Sequence, residues 1–205
     1  MILNSEFLSW AKNNEPQNCH ALLCDPPYEL GFMGKDWDRS GVAFNPETWE
    51  SAKKHLLPGA FGMAFASARG WHRMACAIED AGFVIHPTIF GWLYGSGFPK
   101  ATRIDTQVDE KEGVEVEHGK AFNLKGGSNA DGRAEEFAKN GRTKIKHEAK
   151  TELAKAFQGH RYGLQALKPA LEPIIVFQKP YEGKPVDCIT KTGAGALDIE
   201  GGRIG

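Results

Sequence analysis

The sequence of 205 residues predicts an α/β fold with a mainly parallel sheet. Three observations carry that expectation. Apolar runs near 20–24, 61–66, 83–93 and 173–178 have the length and composition of strands. Helical patterns with recognisable end signals alternate with the first three runs. A polar stretch over 102–160, rich in glycine and charge, separates the last run from the others and reads as an insertion outside the sheet. Strand, helix, strand in that rhythm is how a parallel sheet with packed helices is written.

Each element has a local cause. "SEFLSWAKN" is a short helix with Ser5 as N-cap and Phe7, Leu8 and Trp10 turned inward. "CHALLC" follows as a buried strand. In "NPETWESAKKHLL" Asn45 caps, Pro46 takes the first helical position, and Trp49 and Leu56 share a face. Pro58 and Gly59 break that helix, and "AFGMAFAS" is the next strand. "RGWHRMACAIEDAGF" is a third helix, stopped by Gly82 just past its C-cap. "VIHPTIFGWLYG" is the third strand. Within the polar stretch, "GKAFNLKGGSNADG" reads as a loop and "RTKIKHEAKTELAKAF" as an exposed helix with a narrow stripe of Ile145, Leu153 and Phe157. "LKPALEPIIVFQKP" restores a strand, and "TKTGAGALDIEGGRIG" is loop-like. The chain therefore divides into 1–101, 102–160 and a return to the core over 161–205.

Composition narrows the function classes. With 25 Lys+Arg against 26 Asp+Glu the net charge is -1, so bulk charge selects no partner. Its distribution is uneven. Residues 119–168 hold 11 basic and 5 acidic side chains, a segment that would meet a polyanion or form a solvated helical face. The four cysteines form no CxxC pair, and the seven histidines have no ligand spacing, which argues against a metal site and for a reducing cytoplasm. Cys24 and Cys76 sit among apolar residues, where a thiol packs as a small hydrophobe. No run approaches a membrane span.

The chemistry concentrates where "CHALLC" meets "DPPYELGFMGKDWD". Ligands of open α/β sheets bind beyond the carboxyl ends of strands, where Asp25 falls. Pro26 forces Asp25 into an extended conformation, and neither Pro26 nor Pro27 has an N–H. The turn thus presents two acceptors, the Asp25 carboxylate and the Pro26 carbonyl, beside the flat face of Tyr28. That set suits a planar ring bearing an exocyclic NH2, an adenine or a cytosine drawn out of its helix. The tetrapeptide alone also reads as a plain proline-rich turn; its place directly after an apolar strand favours the site.

On these residues the chain resembles the amino-group (N6-adenine or N4-cytosine) DNA methyltransferases, and especially their phage and prophage members. "DPPYELGFMGKDWD" looks like their catalytic loop. "CAIEDAGF" with "WLYGSGFPK", then "ALKPALEPIIVFQKP", then "GAGALDIEGGRIG" look like later blocks in the same order. The resemblance implies a Rossmann-like sheet that binds S-adenosylmethionine, with Asp25, Pro26, Pro27 and Tyr28 catalytic and Asp25 also meeting the cofactor. It favours adenine, and implies that Tyr28→Phe is mild because the stacking face survives. It also implies a glycine-rich cofactor turn that neither "GSGFPK" nor "GAGALD" supplies. The sequence then reads as the catalytic half of such an enzyme, needing a downstream segment or second chain for that turn, or as a non-catalytic DNA-binding remnant. RNA and protein amides are further substrates of related loops.

DNA is the implied partner. Lys35, Arg69, Arg73, Lys100 and Lys168 lie in loops or at helix starts that could face it, although each alone reads as a solvated charge. Trp37 and Trp92 read as core residues.

Overall fold

Local end signals set the first three helices close to where the sequence places them. The structure is a computed structural model that describes residues 2–31, 36–97, 100–116 and 147–204. They fall into two units, Met1–Gly95 with Ala170–Gly205, and Ser96–Pro169. In the first, α1 (Phe7–Asn13) is capped by Glu6, whose carboxylate accepts from Leu8 N and Ser9 N, and not by Ser5. In α2 (Pro46–Lys54), the Asn45 side chain accepts from Glu47 N at 3.0 Å. The third helix, α3 (Trp71–Asp80), ends as expected at Gly82, which takes φ +78°. A further helix, α6 (Pro185–Thr192), fills part of the tail read as loop. Proline at its start and Gly193 at its C-cap are the signals that mark it.

The sheet is mixed, and this corrects the expectation of a mainly parallel one. Its order is β1 (Cys19–Cys24), β2 (Leu56–Phe65), β6 (Leu171–Gln178), β3 (Val84–Leu93). The β1/β2 pair is parallel, and β6 is antiparallel to both β2 and β3. β1, β2 and β3 therefore run the same way, and the strand returning from the second unit inserts between two of them in the opposite sense. Periodicity reports a strand's existence and not its direction, so the sequence pattern carried no sign of this. β2 also begins earlier than its apolar run, taking in Pro58 and Gly59.

The sheet is covered by helices on one face. Ala60, Gly62 and Ala64 of β2 alternate with half-exposed Phe61, Met63 and Phe65. Their small side chains admit the Phe177 ring, which meets Trp49 and Phe83 edge-on at 5.8 and 4.9 Å. Met74, Ala77 and Ile78 of α3 complete that core. β1 is an edge strand and is not buried as its sequence suggested, with Leu23 75% exposed. Trp37 and Trp92 are likewise exposed, not core, and Cys76 is exposed on α3.

The second unit is ordered by polar contacts that hydrophobic patterning does not register. β4 (Lys100–Arg103) pairs antiparallel with β5 (Arg161–Gln165), and α4 (Ile104–Lys111) packs near α5 (Glu152–Ala156). Asp109, fully buried on α4, accepts from Lys150 N, Thr151 N, Thr151 Oγ1 and His147 Nε2. The Thr151 hydroxyl also accepts from Ala154 N, so the helix starts at 152 and not in the earlier part of the expected run. Residues 142–146 of that run, and the loop expected over 119–132, lie outside the described residues.

Candidate functional site

Strand direction gathers one set of residues at a single edge. β1 ends at Cys24 and β2 at Phe65, so Asp25 and the turn carrying Arg69 leave the sheet on the same side. β6, running the other way, begins there. Its second residue, Glu172, stands opposite Trp92 of β3. The Tyr28 hydroxyl donates to Glu172 Oε2 at 3.2 Å, so the loop leaving β1 is tied across β2 to the start of β6. Trp92 meets Phe65 edge-on at 6.1 Å. Asp25 is exposed, and Pro26, Pro27 and Tyr28 are half-buried.

The electrostatics follow from that crowding. Burial, then the charges of Asp25 and Glu172, push the Tyr28 phenol well above the ordinary tyrosine range. The Cys24 thiol is pushed up to about 12 by burial and by the neighbouring Asp25 charge. A thiol held protonated is no nucleophile at neutral pH, so Cys24 serves packing, with its Sγ 3.7 Å from the Met63 carbonyl.

The chain beyond Tyr28 folds back on itself. Buried Asp38 accepts from Glu29 N at 2.9 Å through Oδ1, and its carbonyl accepts from Gly31 N at 3.0 Å. Glu29 adopts φ +56°, a left-handed conformation uncommon for a non-glycine residue. Its carboxylate accepts from Gly41 N at 2.8 Å and from the Ser40 hydroxyl at 3.3 Å. The second Asp of "KDWD" thus holds the loop whose first residues are Asp25 to Tyr28. Sequence reading passed over both Asp38 and Glu172. A lone Glu at the start of an apolar strand, before Pro173, was the available signal for the latter.

A cavity of about 450 Å³ abuts the same loop. Leu22, Cys24, Asp25 and Pro26 line it together with Thr48 and Trp49. The Thr48 hydroxyl is buried there without a hydrogen-bond partner in the structure. Glycine-rich segments play other parts. Gly193 is the C-cap of α6, and Gly195 packs against the Gly59 carbonyl. Among the described residues no group of His, Cys, Asp and Glu could hold a metal ion, and no helix is long and apolar enough to cross a membrane.

The basic residues singled out from the sequence divide between the units. Arg69 and Arg73 are exposed before and within the first turn of α3. Lys100 begins β4, and Lys168 lies exposed near the end of the second unit. Lys35 lies outside the described residues.

No family model matches the chain, and no curated protein does. Among solved structures it is similar to a provisionally named DNA modification methylase from Thermus thermophilus, with a TM-score of 0.40 and 10% identity over 91% of this chain and 56% of that one. The chain thus spans a little over half the length of that protein, and a likeness at this level leaves the functional reading to the site.

Proposed function

We propose that the chain carries the catalytic part of a DNA methyltransferase that uses S-adenosylmethionine and methylates the exocyclic amine of a flipped base, N6 of adenine. One observation carries the reading: an exposed Asp25 at the carboxyl edge of the sheet, held by Pro26 and Pro27 beside an anchored Tyr28.

An aromatic amine is a weak nucleophile because its lone pair is delocalised into the ring. Asp25 and the Pro26 carbonyl accept its two N–H groups and favour a pyramidal nitrogen with the lone pair free. A hydrogen bond to the charged acceptor contributes about 1.5–3 kcal/mol, and stacking on Tyr28 about 1–3 kcal/mol. Together these match the few kcal/mol needed to extrude a base. The bound cofactor would supply an electrophilic methyl group. The residues beside Asp25 suit it in part: the cavity is of ligand size and its walls are mostly apolar. A glycine-rich turn after a strand is absent among the described residues, so a further segment would complete that pocket. Arg69 and Arg73, and Lys35, Lys100 and Lys168, would contact DNA phosphates, as would the basic stretch over 119–168.

The test is tritiated-methyl incorporation into unmethylated DNA by this chain supplemented with a segment that carries a glycine-rich cofactor turn, with digestion to nucleosides. N6-methyladenine is expected, and Asp25→Ala should abolish it. Full activity in Asp25→Ala would sink the reading. The lack of a glycine-rich turn after a strand among the described residues favours one second reading, a non-catalytic DNA-binding protein; salt-dependent DNA binding with no cofactor binding would select it.

A further inference from the structure

We infer that Glu172 is a positioning residue that fixes the plane of the Tyr28 ring beside Asp25. The inference rests on the base-capture reading of this loop for its role, and on geometry alone for the contact.

Tyr28 follows two prolines and precedes Glu29 in a left-handed conformation, so its backbone is constrained on both sides. Those constraints fix where the side chain begins, but leave rotation of the ring about its own bonds. The ring is only half-buried, so packing does not settle it fully. Its far end is anchored on the Glu172 carboxylate at 3.2 Å. Glu172 is itself held by the sheet: it pairs with Trp92 in register, two positions before Ile174, which pairs with Phe65. A loop side chain is thereby referenced to the centre of a rigid sheet.

The carboxylate is chemically suited to this. As an acceptor only, it demands that the hydroxyl point at it, whereas a neutral hydroxyl partner could be satisfied in several orientations. Asp25 also lies close to the phenol and competes for its hydrogen bond; with the hydroxyl donating to Glu172, the Asp25 carboxylate stays available to an amine. On this account Tyr28→Phe is not mild, because it keeps the stacking face and loses the anchor.

Two measurements test this, the first on this chain and the second on the chain together with the segment that would complete its cofactor pocket. In fluorine NMR with fluorotyrosine replacing the four tyrosines, the Tyr28 signal is identified by its loss in Tyr28→Phe. Glu172→Gln should move its titration to lower pH, with circular dichroism unchanged. An unmoved titration overturns the contact. In methyl transfer, Glu172→Ala and Tyr28→Phe should each lower kcat about three- to tenfold with little change in KM for DNA, and the double variant should be no worse than either. Glu172→Gln, which keeps an acceptor, should recover part of the loss. Additive losses, or a loss confined to KM, overturn the positioning role. Absence of transfer by the wild-type chain once that segment is supplied overturns the base-capture reading, while the titration still decides the contact.

Discussion

Gly62 and Phe177 face each other across the antiparallel β2/β6 pair, and a methyl group added at Gly62 would lie 2.1 Å from the Phe177 ring. The glycine is required by that approach and not by its backbone angles. Gly62→Ala should therefore destabilise the first unit by about 1–3 kcal/mol through overpacking, measured by urea unfolding. Phe177→Leu together with Gly62→Ala should recover part of that loss. A neutral single variant would show that the ring can move aside.

Lys179 closes the far end of α2. Its ammonium donates to the Lys53 carbonyl at 2.9 Å and the Leu56 carbonyl at 2.6 Å, supplying cationic donors where a helix end leaves carbonyls unpaired. Burial, then the nearby Lys53 charge, lower its pKa. Lys179→Met keeps most of the volume and removes both bonds, and should cost about 1–2 kcal/mol in the same unfolding assay.

The second unit should resist acid. Burial alone would raise the Asp109 carboxyl, but the hydrogen bonds from Thr151, Lys150 and His147 outweigh it and hold the group below the ordinary carboxylate range. Asp105 is lowered to about 2, chiefly by its bond with Arg103. A carboxyl with a depressed folded-state pKa adds stability above its unfolded value, about 3.9, and loses it as pH falls through the folded value. Hydrogen exchange in α4 and α5 should stay slow from neutral pH down to about 4 and quicken below. Asp109→Asn should quicken it already at neutral pH, since an amide cannot accept four donors.

Asp38 should matter to activity without mattering to the sheet. Removing its acceptors in Asp38→Ala frees Glu29 N and leaves Glu29 with less reason to keep φ +56°. Methyl transfer should fall, while urea unfolding of the first unit shifts by about 1 kcal/mol or less. Asp38→Asn, which keeps an oxygen acceptor, should retain more activity than Asp38→Ala.

What the residues themselves determined is local. Asn45 with Pro46, Gly82 after α3, and the apolar runs of β2, β3 and β6 were legible because capping and strand-forming composition act within a few positions of the chain. The exit of β1 into Asp25, Pro26, Pro27 and Tyr28 was legible for the same reason, since proline fixes its neighbours wherever it stands. Tertiary structure decided the rest. The reversed insertion of β6 between β2 and β3 is a matter of topology that periodicity does not encode. The same insertion brings Glu172 to Tyr28, 144 residues apart in sequence. In the second unit Asp105 and Asp109 lie in a stretch whose sequence is polar, with nothing local to mark them for the interior, yet both are fully buried. Their burial is tolerable because donors pair them: Arg103, close by in sequence, for Asp105, and His147, Lys150 and Thr151, brought by the fold from 38 to 42 residues away, for Asp109.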